Sequence, residues 1–295
     1  MDTGPDTRAR EHLYAHLGIS MGSTGELTSA GTMPVGPDTR APGGIRAALL
    51  ALLVEGGFGG NFLDAGLFPV LDNMTAHVLD GGDGVTSARA EGEIVRPGSR
   101  RAVARGRVVD ADDRSRLLAF AQIGYWMIQP RDEYMPGGSG ARVRADEGAA
   151  RVTPDESILD AMGMRVRAED GVCELDAVHE GVAAPEGRLH GGAHQLMHEA
   201  AGLAAAETAA GTALVRVEDF SIRFLAPAFV GPFVATASVL SRADAGLLCQ
   251  VELVDHGADD RIRSLSTLRI RLLGSSSVSV SRDFAGGGGI GSGTT

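Results

Sequence analysis

The chain has 295 residues, a formal net charge of −11 and 43% hydrophobic residues. That apolar share supports a packed core and excludes wholesale disorder. The acidic balance excludes general binding to nucleic acid or to anionic membranes, since both need a basic face.

All 27 basic residues are arginine. Schiff-base and P-loop chemistry need a lysine amine and are excluded with it. The 2 cysteines, Cys173 and Cys249, sit in strand-like apolar runs. They point to a reducing compartment, with neither a disulfide framework nor a zinc cluster. The start of the chain has no apolar signal core, and the longest apolar run, residues 47–54, is too short to span a bilayer. A soluble cytoplasmic protein is expected.

In chain order, residues 1–11 read as a poorly ordered start. HLGI (residues 16–19) then precedes a strand-like run. Pro42-Gly43-Gly44 opens an apolar helical stretch whose Leu49, Leu52 and Leu53, with Phe58 and Phe62, are candidates to line an apolar tunnel or to pack in the core. Several strands follow, up to the run ending at Trp126 and Ile128. Residues 129–154 are rich in Gly, Pro and charge and read as a linker. AMGM (residues 161–164) precedes another strand-like run, and His190-Gly191-Gly192 opens a second, Ala-rich helix reaching about Ala210, with Gly211 as its C-cap. In the strand after it, Val217, Phe220, Ile222 and Phe224 face one way, while Arg216, Glu218, Ser221 and Arg223 face the other. The tail after Leu273 is low-complexity; its Gly286, Gly288 and Gly291 match G-x-G-x-x-G, but no helix follows to make a nucleotide loop.

These segments form one repeat copied once, at an offset of roughly 145–148 residues. Residues 71–79 pair with 217–225, and Asp110 pairs with Asp255. The expected fold is α+β. It has an N-terminal unit at 12–128, a linker at 129–154, a C-terminal unit at 155–273 and a disordered tail at 274–295. The two units are expected to pair within the chain, joining their sheets, with the helices side by side.

Residues 187–202, GRLHGGAHQLMHEAAG, carry the chemistry. Two glycines where a loop becomes a helix allow close approach to the backbone and leave amide N–H groups uncovered. The helix start adds positive potential. Together these suit a carbonyl oxygen that gains charge during attack. Glu199, two turns along, is placed to act as general base or nucleophile. A glycine-rich helix start with a solvent-facing glutamate is the bland alternative. His190, His194 and His198 recur every four residues, a ligand-like stripe. The zincin order HExxH is absent, however, so no metal is expected and His194 and His198 read as packing or surface residues.

HGG, six intervening residues and then an acidic residue resembles the hotdog-fold thioesterases of the phenylacetate-pathway and 4-hydroxybenzoyl-CoA type. VEDFSIRFLAPAFVGPFVATASVL, with Pro227 and Gly231 at its turn, is similar to their second and third strands. The resemblance covers most of 157–273 and is weaker over 13–128. It implies hydrolysis of an acyl-CoA thioester in a tandem double-hotdog form, with no cofactor beyond the CoA of the substrate. By the resemblance, Glu199 is the base or nucleophile and His190, Gly191 and Gly192 belong to the oxyanion site.

Ala184 stands where that family often has Asn, and Arg216 and Val217 where it often has Ser or Thr. The family's sites are usually composite. With His190 matched to Pro42 and Glu199 to Ala51, Glu199 is expected to face Gly43 and Gly44, while His190-Gly191 faces Ala51 in a dead site. On that alignment Glu55 lies one turn too far along. Arg223 and Arg242 are candidates for CoA phosphates, and assembly into a homo-oligomer of pseudo-dimers is an open expectation. Two rival readings stand beside hydrolysis: a hotdog dehydratase or hydratase, and a non-catalytic acyl-CoA binder or scaffold.

Overall fold

The computed structural model describes residues 12–58, 61–62, 67–128, 156–184 and 187–274. The expected start, the linker, the chain beyond Gly274 and the Pro185–Glu186 step lie outside them.

The first copy contains α1 (Leu13–His16), β1 (Ser20–Gly25), β2 (Thr28–Pro34), a short hairpin of β3 (Arg40–Ala41) and β4 (Gly44–Ile45), then α2 (Ala47–Gly56). Four long strands follow: β5 (Phe68–Val78), β6 (Ser87–Arg96), β7 (Arg101–Asp110) and β8 (Leu117–Ile128). The second copy repeats this with α3 (Ile158–Ala161), β9 (Arg165–Arg167), β10 (Val172–Leu175), α4 (Gly191–Ala210), β11 (Val215–Phe224), β12 (Phe233–Ala243), β13 (Gly246–Asp255) and β14 (Ile262–Leu272). Each copy therefore contributes two strands to the large sheet before its helix, where the sequence suggested one.

Twelve strands form one sheet, in the order β1-β2-β6-β7-β8-β5-β11-β14-β13-β12-β10-β9. Six strands come from each copy, and the halves meet where β5 pairs with β11, antiparallel. Thr75 lies opposite Ser221, its own counterpart in the repeat, and their hydroxyls are 3.3 Å apart. A residue paired with its own repeat partner marks a pseudo-two-fold axis.

The alternation read for β11 holds. Val217, Phe220 and Ile222 are buried, with a bulge between Val217 and Asp219 that resets the phase. Against the apolar face lie α2 and α4. α2 is apolar all round: residues 47–54 are all buried, including Leu49, Leu50, Leu52 and Leu53. Burying each such leucine contributes about 1.5–3 kcal/mol. Leu49, Leu52, Leu53, Phe58 and Phe62 all belong to this core. α4 is twice as long, is capped at its end by Gly211 in the left-handed conformation (φ 71°), and buries polar side chains along its inner face.

The two helices run antiparallel. The start of α2 lies against Glu199 in α4, and its end lies against Gln195. Among the described residues no helix is long and apolar enough to cross a membrane.

Candidate active site

The helix caps fix the true match between the copies. Arg46 caps α2 and His190 caps α4, and they stand 144 residues apart. Glu55 and Glu199 stand 144 residues apart as well, each nine residues beyond its cap. The expected alignment of His190 with Pro42 therefore slips by one helical turn. Glu199 corresponds to Glu55, not to Ala51, so both copies carry a carboxylate at the same place. Because the helices are antiparallel, each carboxylate meets the start of the opposite helix.

The expected partners of Glu199 are replaced accordingly. Glu199 lies against Ala47 and Ala48, not Gly43 and Gly44. The Ala47 amide donates to Oε1 at 2.7 Å and the Ala48 amide to Oε2 at 3.4 Å. Arg46 lies 4.0 Å away. α2 has no side-chain cap of its own, so Glu199 supplies it across the dyad. Burial pushes the Glu199 carboxyl above its ordinary range, while Arg46 and the two amides pull the other way. Only 1% of this residue is exposed. The first glycine pair serves the hairpin instead. A side chain at Gly43 would strike the backbone of Val215, and Gly44 (φ 139°) packs directly on Gly81.

At the other end the same parts are arranged differently. His190 Nδ1 accepts from the Gly192 amide at 3.0 Å, which closes the first turn of α4 from within. A ring nitrogen that accepts carries no proton, and burial holds this imidazole well below its ordinary pKa, keeping it neutral. His12 and Tyr14 stack edge-on against it, with ring centroids 5.3 and 5.2 Å away.

The Gly191 amide takes no hydrogen-bond partner among the described residues. A Cβ at Gly191 would lie 3.6 Å from Glu55 Oε1 and 2.5 Å from Leu71 Cδ1. The bare Gly191 backbone thus faces the Glu55 carboxylate across a narrow gap.

Glu55 is only partly buried, unlike Glu199. Desolvation by the groups crowding it pushes its pKa up to about 7, against the opposing pull of Gln195 and Arg188. Gln195 donates to Glu55 Oε2 at 2.8 Å. The Tyr125 hydroxyl donates to the Glu55 backbone carbonyl at 3.3 Å. Tyr14 and Tyr125 are themselves pushed well above the ordinary phenol range, by burial first and by the Glu55 charge second.

The turn before α4 rests on the loop between β11 and β12, which Asp255 anchors. This fully buried carboxylate accepts from the amides of Phe229, Val230 and Gly231 at 2.9, 3.2 and 2.8 Å. Burial alone would raise its pKa, but these bonds hold it below the ordinary value. The same loop offers the Ala228 carbonyl to the Leu189 amide at 2.7 Å, which sets the residue before the cap.

His194 and His198 are buried beneath α4 and pair with serines. His194 Nδ1 lies 2.9 Å from Ser264 Oγ, and His198 lies 2.7 Å from both Ser264 and Ser266. Burial pushes His194 down to about 3. The matching positions of the first copy are Leu50, Val54, Ala119 and Ala121. Arg223 is exposed on β11, and Arg242 donates to the Ala209 carbonyl at 2.5 Å at the end of α4, the opposite end from the HGG turn.

The sequence does not single out Gln195, Tyr14 or Arg188, and it marks Tyr125 only as a core or interface residue. Only a correct helix register would have brought them to Glu55.

A family model described as the thioesterase superfamily matches residues 186–259, a stretch that opens just before the HGG turn. No curated protein matches the sequence. Among solved structures, the chain is similar to a putative thioesterase II from Thermobifida fusca YX, at 11% identity and a TM-score of 0.56, covering 91% of this chain and 100% of that one. It is also similar to the tesB protein of Mycobacterium avium subs paratuberculosis, at 13% identity and a TM-score of 0.54, covering 88% and 98%. A conserved protein with hot dog fold from Alicyclobacillus acidocaldarius matches at 10% identity and a TM-score of 0.52, covering 89% and 98%. Such identities speak to fold. The chain is a double hotdog, α+β, whose second copy carries a thioesterase-superfamily match over the HGG turn.

Proposed function

We propose that the chain hydrolyses an acyl thioester, with acyl-CoA as the substrate class, at the HGG turn of α4. The carrying observation is the side-chain face of Gly191, which lies next to Glu55 of the other copy, together with a Gly191 amide that has no partner among the described residues. An amide at a helix start is suited to an oxyanion, because its dipole is fixed before charge develops. Glu55 supplies the carboxylate that activates the attacking group. Gly192 and His190 hold the turn in shape. The superfamily match over 186–259 and the thioesterase names of the similar structures support the reaction class.

The opposite end of the helix pair lacks these features. There Glu199 uses the helix-start amides itself, so neither an oxyanion donor nor a reachable base remains. One working site per chain follows, as the sequence suggested, but with the roles of the two ends exchanged.

The test is thiol release from short, long and aromatic acyl-CoAs as a function of pH. Glu55 acts ionised and its pKa stands at about 7. Activity should therefore rise through neutral pH, with the acid limb of kcat/KM centred near that value. Absence of thiol release across the panel, or an acid limb near the ordinary glutamate value, contradicts the assignment.

A further inference from the structure

Tyr14 brings an unspent hydroxyl to the Glu55 end of the helix pair. It is the second residue of α1, and His12 fixes it there. His12 Nδ1 accepts from the Tyr14 amide at 3.3 Å, and its Nε2–H donates to the Ala183 carbonyl of the second copy at 3.1 Å. α1 is thereby tied across the seam between the copies. The Tyr14 ring lies edge-on to His190, with centroids 5.2 Å apart, and its hydroxyl stands 3.3 Å from the point that a Cβ on Gly56 would occupy. The side chain thus reaches from the cap of α4 to the end of α2, beside Glu55.

The two tyrosines near Glu55 differ in what their hydroxyls do. Tyr125 donates to the Glu55 backbone carbonyl. The half-buried Tyr14 hydroxyl has no hydrogen-bond partner among the described residues. A buried tyrosine hydroxyl ordinarily finds one. Burial keeps this phenol protonated, so its proton stays available to an acceptor.

The repeat supplies a control. Ser157 caps α3 as His12 caps α1, each accepting from the amide two residues on. Tyr14 therefore corresponds to Leu159, which is apolar and buried. The hydroxyl is absent at the Glu199 end, where the carboxylate is a staple, and present beside Glu55.

We propose that Tyr14 is a specificity-determining residue whose hydroxyl donates a hydrogen bond to a substrate carbonyl oxygen flanking the thioester, so that thioesters carrying such an acceptor are preferred. The inference rests on the proposed thioesterase reading. Two parts of an acyl-CoA can supply the acceptor: an oxo group on C3 of the acyl chain, or the amide carbonyl of the thiol arm nearest the sulfur. Both present a neutral oxygen to a neutral donor.

The experiment measures kcat/KM for thiol release by wild type and by Tyr14→Phe, which removes one oxygen and keeps the ring against His190. Four thioesters are compared. They are a saturated acyl-CoA, the 3-oxoacyl-CoA of equal chain length, and the S-ethyl thioesters of the same two acyl groups, which lack the amide arm. Tyr14→Phe should lose about 10-fold, the worth of one hydrogen bond, only where the acceptor is present. A loss confined to the two 3-oxo substrates supports the proposal and places the acceptor on the acyl group. A loss on both CoA thioesters but not on the S-ethyl ones supports it and places the acceptor on the thiol arm.

An equal loss on all four substrates overturns the proposal, since the saturated S-ethyl thioester offers no such oxygen. So does no loss on any of them. Failure of the parent reading shows separately, as absence of thiol release by the wild type from all four.

Discussion

Gly191→Val is expected to abolish thioester cleavage, by about 1,000-fold or more, in a chain that still folds. Valine keeps the backbone N–H but blocks a carbonyl's approach to it; losing that oxyanion contact costs about 100- to 1,000-fold, and crowding the carboxylate adds to it. The geometry grades the effect. A single Cβ meets the flexible end of Leu71 at 2.5 Å, which can turn aside, and stays 3.6 Å from Glu55. Gly191→Ala should therefore retain part of the activity. The two methyl groups of valine have no such escape, since one must enter the space between the helix start and the carboxylate. The substitution leaves the Gly192 amide on His190 and the rest of the turn intact. Circular dichroism and melting will separate loss of the site from loss of the fold. A fully active Gly191→Val would remove the amide from the mechanism.

The second large effect concerns stability. Glu199→Ala should destabilise the chain by roughly 3–5 kcal/mol, the usual cost of removing one partner of a buried charged pair. Two causes combine. The Ala47 and Ala48 amides lose the acceptor that caps α2, and the Arg46 charge, also buried, loses its carboxylate. Arg46, at the cap position, makes no side-chain bond to that helix start. Glu199→Gln should cost much less, because its carbonyl oxygen still accepts from Ala47. Denaturant melts of the two variants check the ranking. If Glu199→Ala melts like wild type, the cross-dyad cap has no energetic weight.

Much of the architecture can be read from the sequence, because strands carry phase. Asp110 and Asp255, or Thr75 and Ser221, lie in alternating segments where a one-residue slip would turn core side chains to solvent. The second helix is readable too, since His190, Gly191 and Gly211 mark its ends.

The first helix has no comparable marks. Residues 47–54 are all apolar and all buried, so no polar face fixes their rotational phase. Its cap is an arginine that caps nothing with its side chain, and the nearby Gly43-Gly44 pair imitates a helix start while serving a hairpin. The result is a slip of one turn in the match between the helices. It set Glu199 against Gly43 and Gly44 and left Glu55 one turn too far along. Gln195 shows the same limit. A buried glutamine on an Ala-rich helix gains meaning only when the antiparallel partner places a carboxylate 2.8 Å away.

The two ends also differ in how their carboxylates are satisfied. At one end a carboxylate is satisfied by two amides and an arginine, which suits a structural staple. At the other end the carboxylate has one side-chain amide partner and a pKa raised to about 7, next to the side-chain face of Gly191. Polar groups left unsatisfied in this way lower stability and are characteristic of working sites.

The most direct test compares Glu55→Gln with Glu199→Gln in one thiol-release assay, at saturating acyl-CoA and at a pH above the acid limb. Glu55→Gln should lose about 1,000-fold in kcat while remaining folded, and Glu199→Gln should turn over at a rate close to wild type. The reverse pattern, with Glu55→Gln active and Glu199→Gln dead, would contradict the pairing of Glu55 with the HGG turn.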